Sequence, residues 1–103
     1  MIKYTVQITE EALKDMEAIY EYIASEFFSP STALNQYNRI AEGIMELSYL
    51  PQRFKILDFE PEHGRGIRRR NVDNYAIIYV VRDDRVIVTN VFYGASDIEK
   101  KLK

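Results

Sequence analysis

Apolar and polar residues alternate at the start of the chain: Ile2, Tyr4, Val6 and Ile8 are separated by Lys3, Thr5 and Gln7. A period of two sends successive side chains to opposite faces and predicts a half-buried strand. The period then changes. Ala12, Met16, Ile19, Tyr20, Ile23 and Phe27 recur at helical spacing, which predicts an amphipathic helix over residues 10–26. Thr9 stands where an N-cap belongs, and Glu10 and Glu11 suit the positive end of the helix dipole. The segment FFSPS interrupts the pattern, with Ser29 as a cap and Pro30 at the first position of a second helix. There Ala33, Leu34, Tyr37, Ile40, Ala41, Ile44, Leu47 and Leu50 form one long apolar stripe that Pro51 brings to an end. A short link between two amphipathic helices predicts an antiparallel hairpin. The small residues Ala41 and Gly43 mark a close approach of the helices or of the sheet.

Residues 52–66 read as loop, with a short strand expected around residues 55–59. Strands follow at 67–72, 75–82 and 86–93, the last rich in β-branched and aromatic side chains. Arg82-Asp83-Asp84-Arg85 is a tight polar turn between the second and third of these. The tail VFYGASDIEKKLK ends the last strand at a glycine, and Asp97 is placed to cap a short terminal helix. Helices grouped apart from a meander of strands make an α+β domain. The expected architecture is an N-terminal strand, an antiparallel two-helix hairpin, a mainly antiparallel sheet of about four strands and a short helical tail. All of it fits one domain over residues 1–103, a normal size for a single core.

Composition narrows the chemistry. A hydrophobic content of 47% argues for a folded chain, and the absence of cysteine excludes disulfides, thiolate metal sites and cysteine nucleophiles. No run of apolar residues reaches the length of a membrane span or of a secretory leader, so a soluble, cytoplasmic protein without membrane contact is expected. Charge is unevenly distributed. Residues 1–62 carry five Lys/Arg against eleven Asp/Glu, and residues 63–103 carry nine against five. This suits a basic face that meets an anion, or simply helices that carry more Glu than strands do.

Most catalytic arrangements are missing. His63 is the one histidine, in the polar loop EPEHGRG, and Glu60 and Glu62 beside it read as a solvated loop, with no metal or cofactor expected. No nucleophile elbow, phosphate loop or dinucleotide fingerprint is present. The run GRGIRRRN remains. On a strand, Arg68 and Arg70 share one face while Ile67, Arg69 and Asn71 share the other. Arginine forks suit phosphate or carboxylate; they also protect a strand edge or pair with an acidic helix. Arg69 is read as structural, Arg68 and Arg70 as functional.

The order and spacing of several short motifs resemble the RelE/ParE superfamily of bacterial toxins, over nearly the whole chain. Residues 12–54 look like the ParE-type helical hairpin, with Tyr22-Ile23, Ser29-Pro30, Ala33 and Leu50-Pro51. Gly66-Ile67-Arg68, Asn74-Tyr75, Tyr79 and Tyr93-Gly94-Ala95-Ser96-Asp97 look like the strand block and ending of that family. The resemblance implies a toxin of a type II toxin–antitoxin pair, neutralised by a cognate antitoxin. One branch cuts messenger RNA on the ribosome with strand-borne basic residues and a basic–aromatic pair near the C-terminus. Here Ala76, Gly94 and Ala95 stand at the matching positions, which leaves Arg68, Arg70 and Tyr93 as recruits if the chain is a metal-independent ribonuclease. A sequence pI near 5.4 suits ribosomal RNA poorly. The ParE-like (plasmid stabilisation) branch, which this chain resembles more, inhibits DNA gyrase by binding. The implied target-binding set is Arg65, Arg68, Arg70, Tyr93, Ser96 and Asp97, with no specific DNA binding by this chain alone. The implied antitoxin contacts are the aromatics Phe27, Phe28 and Tyr49. Tyr93 replaces the frequent His of the family and Ser96 its terminal Arg, which also fits a third reading, an inactive toxin that still binds its antitoxin.

Overall fold

The computed structural model describes residues 3–103; Ile2, the first apolar position of the predicted N-terminal strand, lies outside the described residues. The elements are β1 (Thr5–Ile8), α1 (Glu10–Glu26), α2 (Pro30–Met45), β2 (Ile67–Val72), β3 (Tyr75–Arg82), β4 (Arg85–Tyr93) and α3 (Ile98–Lys101). The strands form one sheet in the order β1-β4-β3-β2, with β1 parallel to β4 and the other pairs antiparallel. The α1–α2 hairpin covers one face. Its core joins Ala12, Met16, Ile40, Ile44 and Leu47 to Ile77, Tyr79, Val86, Val88 and Val91 of the sheet.

Local chemistry sets the helix starts. Thr9 Oγ1 accepts from the Ala12 N–H at 3.2 Å and donates to the Thr89 carbonyl at 3.1 Å, so the cap also ties α1 to β4. Ser29 Oγ accepts from the Thr32 N–H at 3.3 Å, and Pro30 opens α2. The stripe predicted to run to Leu50 ends as α-helix at Met45. A 3-10 turn over Glu46–Ser48 keeps Leu47 buried, Tyr49 turns extended opposite Lys3, and Leu50 is left-handed (φ 47°) and exposed. Pro51 then stops any return to right-handed helix at Leu50, because its ring disfavours that conformation at the preceding residue. Gly43 marks an approach to the sheet rather than to the other helix: a Cβ there would lie 2.6 Å from Val72 Cγ2.

No strand forms over residues 55–59. Ile56 alone pairs with Arg68, through Leu57 N–H to Ile67 O (2.8 Å) and Arg69 N–H to Lys55 O (3.0 Å), which covers part of the outer edge of β2. A bulge lies in β4, where Ile78 faces Asn90 while Tyr79 faces Val88, so Thr89 is the extra residue. It changes the inward spacing from two to three, and Val86, Val88 and Val91 all reach the helix side. Asp15 of α1 accepts from the Val91 N–H at 2.9 Å, where β1 has already ended.

The opposite face of the sheet is covered too. Ala76 and Ile78 pack with Ile98, flanked by Phe59, Ile67, Phe92 and Leu102. A four-residue helix such as α3 is not stable alone. Burial of Ile98 and the Asp97 cap, which accepts from the Lys100 N–H at 3.1 Å, hold it in place. Lys103 Nζ adds contacts to Glu62 Oε1 at 3.3 Å and Glu60 O at 3.0 Å.

Candidate interaction surface

β3 begins and β4 ends at one corner of the sheet, because the register sets Tyr75 opposite Tyr93. Their rings meet edge to face with centroids 6.0 Å apart. α1 runs above this corner and adds Ile19, Tyr22 and Phe27, giving a groove of about 730 Å³ with Asn74 and Gln36 at its polar end. Tyr93 is 54% exposed and Phe27 65%. Phe28 follows at the hairpin tip, 91% exposed and held in the left-handed region at φ 48°. Burial, then the neighbouring Tyr22 and Tyr93, push the Tyr75 phenol up, so it remains a hydrogen-bond donor at neutral pH.

Past Tyr93 the surface becomes polar. Gly94 donates to Asn74 O at 2.7 Å, and a Cβ on it would lie 3.1 Å from that oxygen and 3.3 Å from Arg69 Nη2. Arg69 crosses here, donating to Gly94 O at 3.0 Å and Asn71 Oδ1 at 2.8 Å, and lines a cavity of about 340 Å³ with Asn71, Asn74 and Tyr93. Ser96 closes the turn by donating its N–H and hydroxyl to Tyr93 O, and Asp97 is committed to capping α3.

The other arginines of β2 sit on the helix side. Arg68 donates to the carbonyls of Phe54 (2.6 Å) and Gln52 (3.0 Å). Arg70 donates to Gly43 O at 2.7 Å, pairs with Glu46 at 2.6 Å and stacks over the Phe54 ring, its side chain 16% exposed. These arginines therefore clamp residues 52–54 and the end of α2 to the sheet. Between them and the core, Tyr79 donates to Pro51 O at 2.6 Å; burial pushes its phenol up to about 12, against the opposing pull of Arg68, Arg53 and Arg70. At the β2–β3 turn, Asp73 is gripped by Arg39 (2.7 and 2.8 Å) and Gln36 (3.0 Å), bonds that hold its carboxyl below the usual range.

The residues singled out from sequence do not form one patch. Tyr93, Ser96 and Asp97 lie together. Arg65 lies at the other end of β3, its carbonyl accepting from Arg82, roughly 25 Å away at about 3.3 Å per strand residue. Phe27 and Phe28 share the hairpin tip, while Tyr49 is exposed beyond the far end of α2, about 24 Å along the helix. Glu62 turns to Lys103, and His63 Nδ1 lies 3.6 Å from Glu60; no metal-holding group of three such side chains occurs among the described residues. Tyr22, Tyr75 and Arg69 were not singled out as surface residues. The pairing of the first residue of β3 with the last of β4 is the signal that would have joined Tyr75 to Tyr93.

A family model described as ParE toxin of type II toxin–antitoxin system, parDE, matches residues 6–98. The chain belongs to the ParE toxin family. It is thus a toxin of the type II toxin–antitoxin class. No curated protein sequence matches it. Among solved structures, a chain of the chromosomal ParDE system of P. aeruginosa superposes with a TM-score of 0.76 at 16% identity, covering 88% of this chain and 96% of that one. A chain of the RelBE2 toxin–antitoxin complex of Mycobacterium tuberculosis gives 0.66 at 23% identity, covering 93% and 97%. The archaeal RelE–RelB complex of Pyrococcus horikoshii gives 0.60 at 19%, covering 91% and 98%. These likenesses establish that this ParE-family chain has the fold common to those proteins; its action rests on its own surfaces.

Proposed function

We propose that this ParE-family toxin acts by binding, trapping DNA gyrase through the Tyr93 corner, and that a cognate antitoxin neutralises it. The observation that carries the reading is the aromatic groove itself: Tyr22, Phe27 and Tyr93 are exposed together beside a polar corner. Aromatic anchors of this kind supply binding energy rather than bond cleavage. The groups that a strand-borne ribonuclease would use are committed elsewhere. Arg68 and Arg70 hold backbone carbonyls, and Ala76 lies beneath α3. The similar structures come from toxin–antitoxin systems, which supports the antitoxin as partner.

A gyrase supercoiling assay with the purified chain tests the proposal. Inhibition with a trapped cleavage complex at micromolar protein, weakened by Tyr93→Ala, is the expected result. Unimpaired supercoiling at that concentration overturns it, and cleavage of ribosome-bound messenger that is lost in Tyr93→Phe puts the ribonuclease in its place. Expression without antitoxin should arrest growth; normal growth would leave the inactive, antitoxin-binding form.

A further inference from the structure

The aromatic groove does not end at Tyr93. Asn74 and Tyr93 line both that groove and the cavity around Arg69, so the two form one continuous recess. Its first arm is aromatic. Tyr22, Phe27, Tyr75 and Tyr93 line it, and no charged side chain among the described residues does. Its junction is made of amides. Gln36 Nε2 donates away to Asp73 at 3.0 Å, which leaves the Gln36 carbonyl oxygen as an acceptor, and Asn74 beside it is exposed. Its second arm is cationic. Arg69 is half-buried and donates Nε and Nη2 to the neutral oxygens of Asn71 and Gly94; it has no carboxylate partner among the described residues. Asp73, the acid that lines this arm, is already gripped by Arg39. Ala95 lines it too, and its N–H has no backbone acceptor among the described residues.

We infer that this recess binds a purine nucleoside monophosphate, with the base among the tyrosines, the ribose at Asn74 and Gln36 and the phosphate at Arg69. The sequence of surfaces is the reason: aromatic, amide, guanidinium runs in the order base, sugar, phosphate. Bases stack on aromatic rings through their π-faces, and a purine offers the larger face. Acceptors at the junction suit ribose hydroxyls, and the free N–H groups of Arg69 suit a phosphate oxygen. One unpaired cation serves one phosphate, whereas a nucleic-acid strand needs a row of them. Arg68 and Arg70, its neighbours on β2, lie on the helix side and are spent on backbone carbonyls. An aromatic side chain of a protein would fill the first arm and leave Arg69 without an anion. The inference is independent of the gyrase reading and goes beyond it: a bound nucleotide covers Tyr93, the residue that reading assigns to the target.

The purified full chain is titrated with AMP, CMP, adenosine and inorganic phosphate, with NMR detection. AMP is expected to bind with a Kd below about 1 mM, and each of the other three at least about fivefold more weakly. Shifts should centre on Tyr22, Asn74, Tyr93 and Ala95. Arg69→Gln should raise the Kd for AMP by about tenfold and leave that for adenosine within about twofold. Retained adenosine binding is the needed control, because Arg69 also holds the Gly94 turn. Tyr22 is exposed on α1, so Tyr22→Leu keeps the fold even where Arg69→Gln does not; it should weaken AMP and adenosine alike. A Kd for AMP above about 1 mM, shifts centred elsewhere, or AMP binding unchanged in Tyr22→Leu overturns the site. Phosphate alone binding as tightly as AMP reduces it to an anion site and overturns the nucleotide. A single-stranded oligonucleotide that binds about a hundredfold tighter than AMP overturns the free nucleotide in favour of a strand. No gyrase is present in the titration, so its failure leaves the target reading untouched.

Discussion

The arginines of β2 and the glutamates of the helical hairpin are two charged regions of this molecule, and they are charged in different senses. Arg68 and Arg70 are partly buried and committed: four hydrogen bonds, to Gln52, Phe54, Gly43 and Glu46, and a cation–π contact with the Phe54 ring tie the segment after α2 to the sheet. Glu17, Glu21 and Glu42 are exposed and have no ion-pair partner among the described residues. A cation that bonds part-buried carbonyls of the Phe54 and Gly43 backbone acts on the fold, and removing it leaves those oxygens without a charged donor. A carboxylate kept in water contributes little to the fold and stays available to a partner. The count of charges is thus a poor guide to where a surface acts; what matters is which of them already have partners.

The largest effect should come from breaking the committed side. Arg68→Ala is expected to cost about 1–2 kcal/mol, because it deprives one part-buried and one exposed carbonyl of a charged donor. Arg70→Ala should cost a similar amount, and Arg70→Lys an intermediate one, since an ammonium cannot reproduce the fork between Gly43 O and Glu46. Urea unfolding reads all three. A loss below about 0.5 kcal/mol for both alanine variants would show these arginines to be as free as the glutamates.

Tyr79 comes next, since it shares the arginines' anchoring of residues 51–54. Its folded pKa, near 12, lies above the unfolded value of about 10. The protonated phenol is favoured in the fold, so its contribution is intact below about pH 10 and is lost as pH climbs from there towards 12. The loss should amount to about 3 kcal/mol at most. Tyr79→Phe lacks the bond to Pro51 at neutral pH, at a cost of about 1–2 kcal/mol, but should not show that alkaline component. Parallel alkaline slopes for the two proteins would contradict the assignment.

Asp73 gives a smaller, opposite dependence. Its folded pKa is depressed by Arg39 and Gln36, so the contribution is present above the unfolded value, near 4, and disappears as pH falls below it. Asp73→Asn should flatten the acid limb of a stability–pH curve. An unchanged limb would mean that the turn clamp is ornamental and belongs with the free charges.

What could be read from the amino acids divides along the same line. Thr9, Ser29-Pro30 and Asp97 were legible because a cap and its helix are neighbours in the chain, and the order of strand, two helices and strand meander followed from periodicity. The partners of Arg68 and Arg70 were not, because they depend on how residues 51–54 return to the sheet, and that segment has no regular period. The Thr89 bulge was equally hidden, since it is resolved by Asp15, 76 positions away in sequence at Val91. Within one stripe on α2, spacing alone could not separate buried Ile40 from exposed Leu34. At Gly43 the backbone of α2 lies close to the Val72 side chain, a residue distant in sequence. Tyr93 was visible as the end of a strand, but its groove needed the β3–β4 register.

The free side of the comparison yields the smallest effect on stability and the one of opposite sign. Glu17 and Glu21 are four residues apart on α1, so their charges face each other on the helix surface. Neutralising one removes a repulsion. Glu21→Gln should therefore raise stability by a few tenths, about 0.2–0.5 kcal/mol, and moderate salt should do the same to the unaltered chain through screening. The gain is measurable as a shift in the urea midpoint at constant slope. Should Glu21→Gln instead destabilise the chain by about 1 kcal/mol or more, the carboxylate has an internal role, and the contrast between the hairpin glutamates and the β2 arginines collapses.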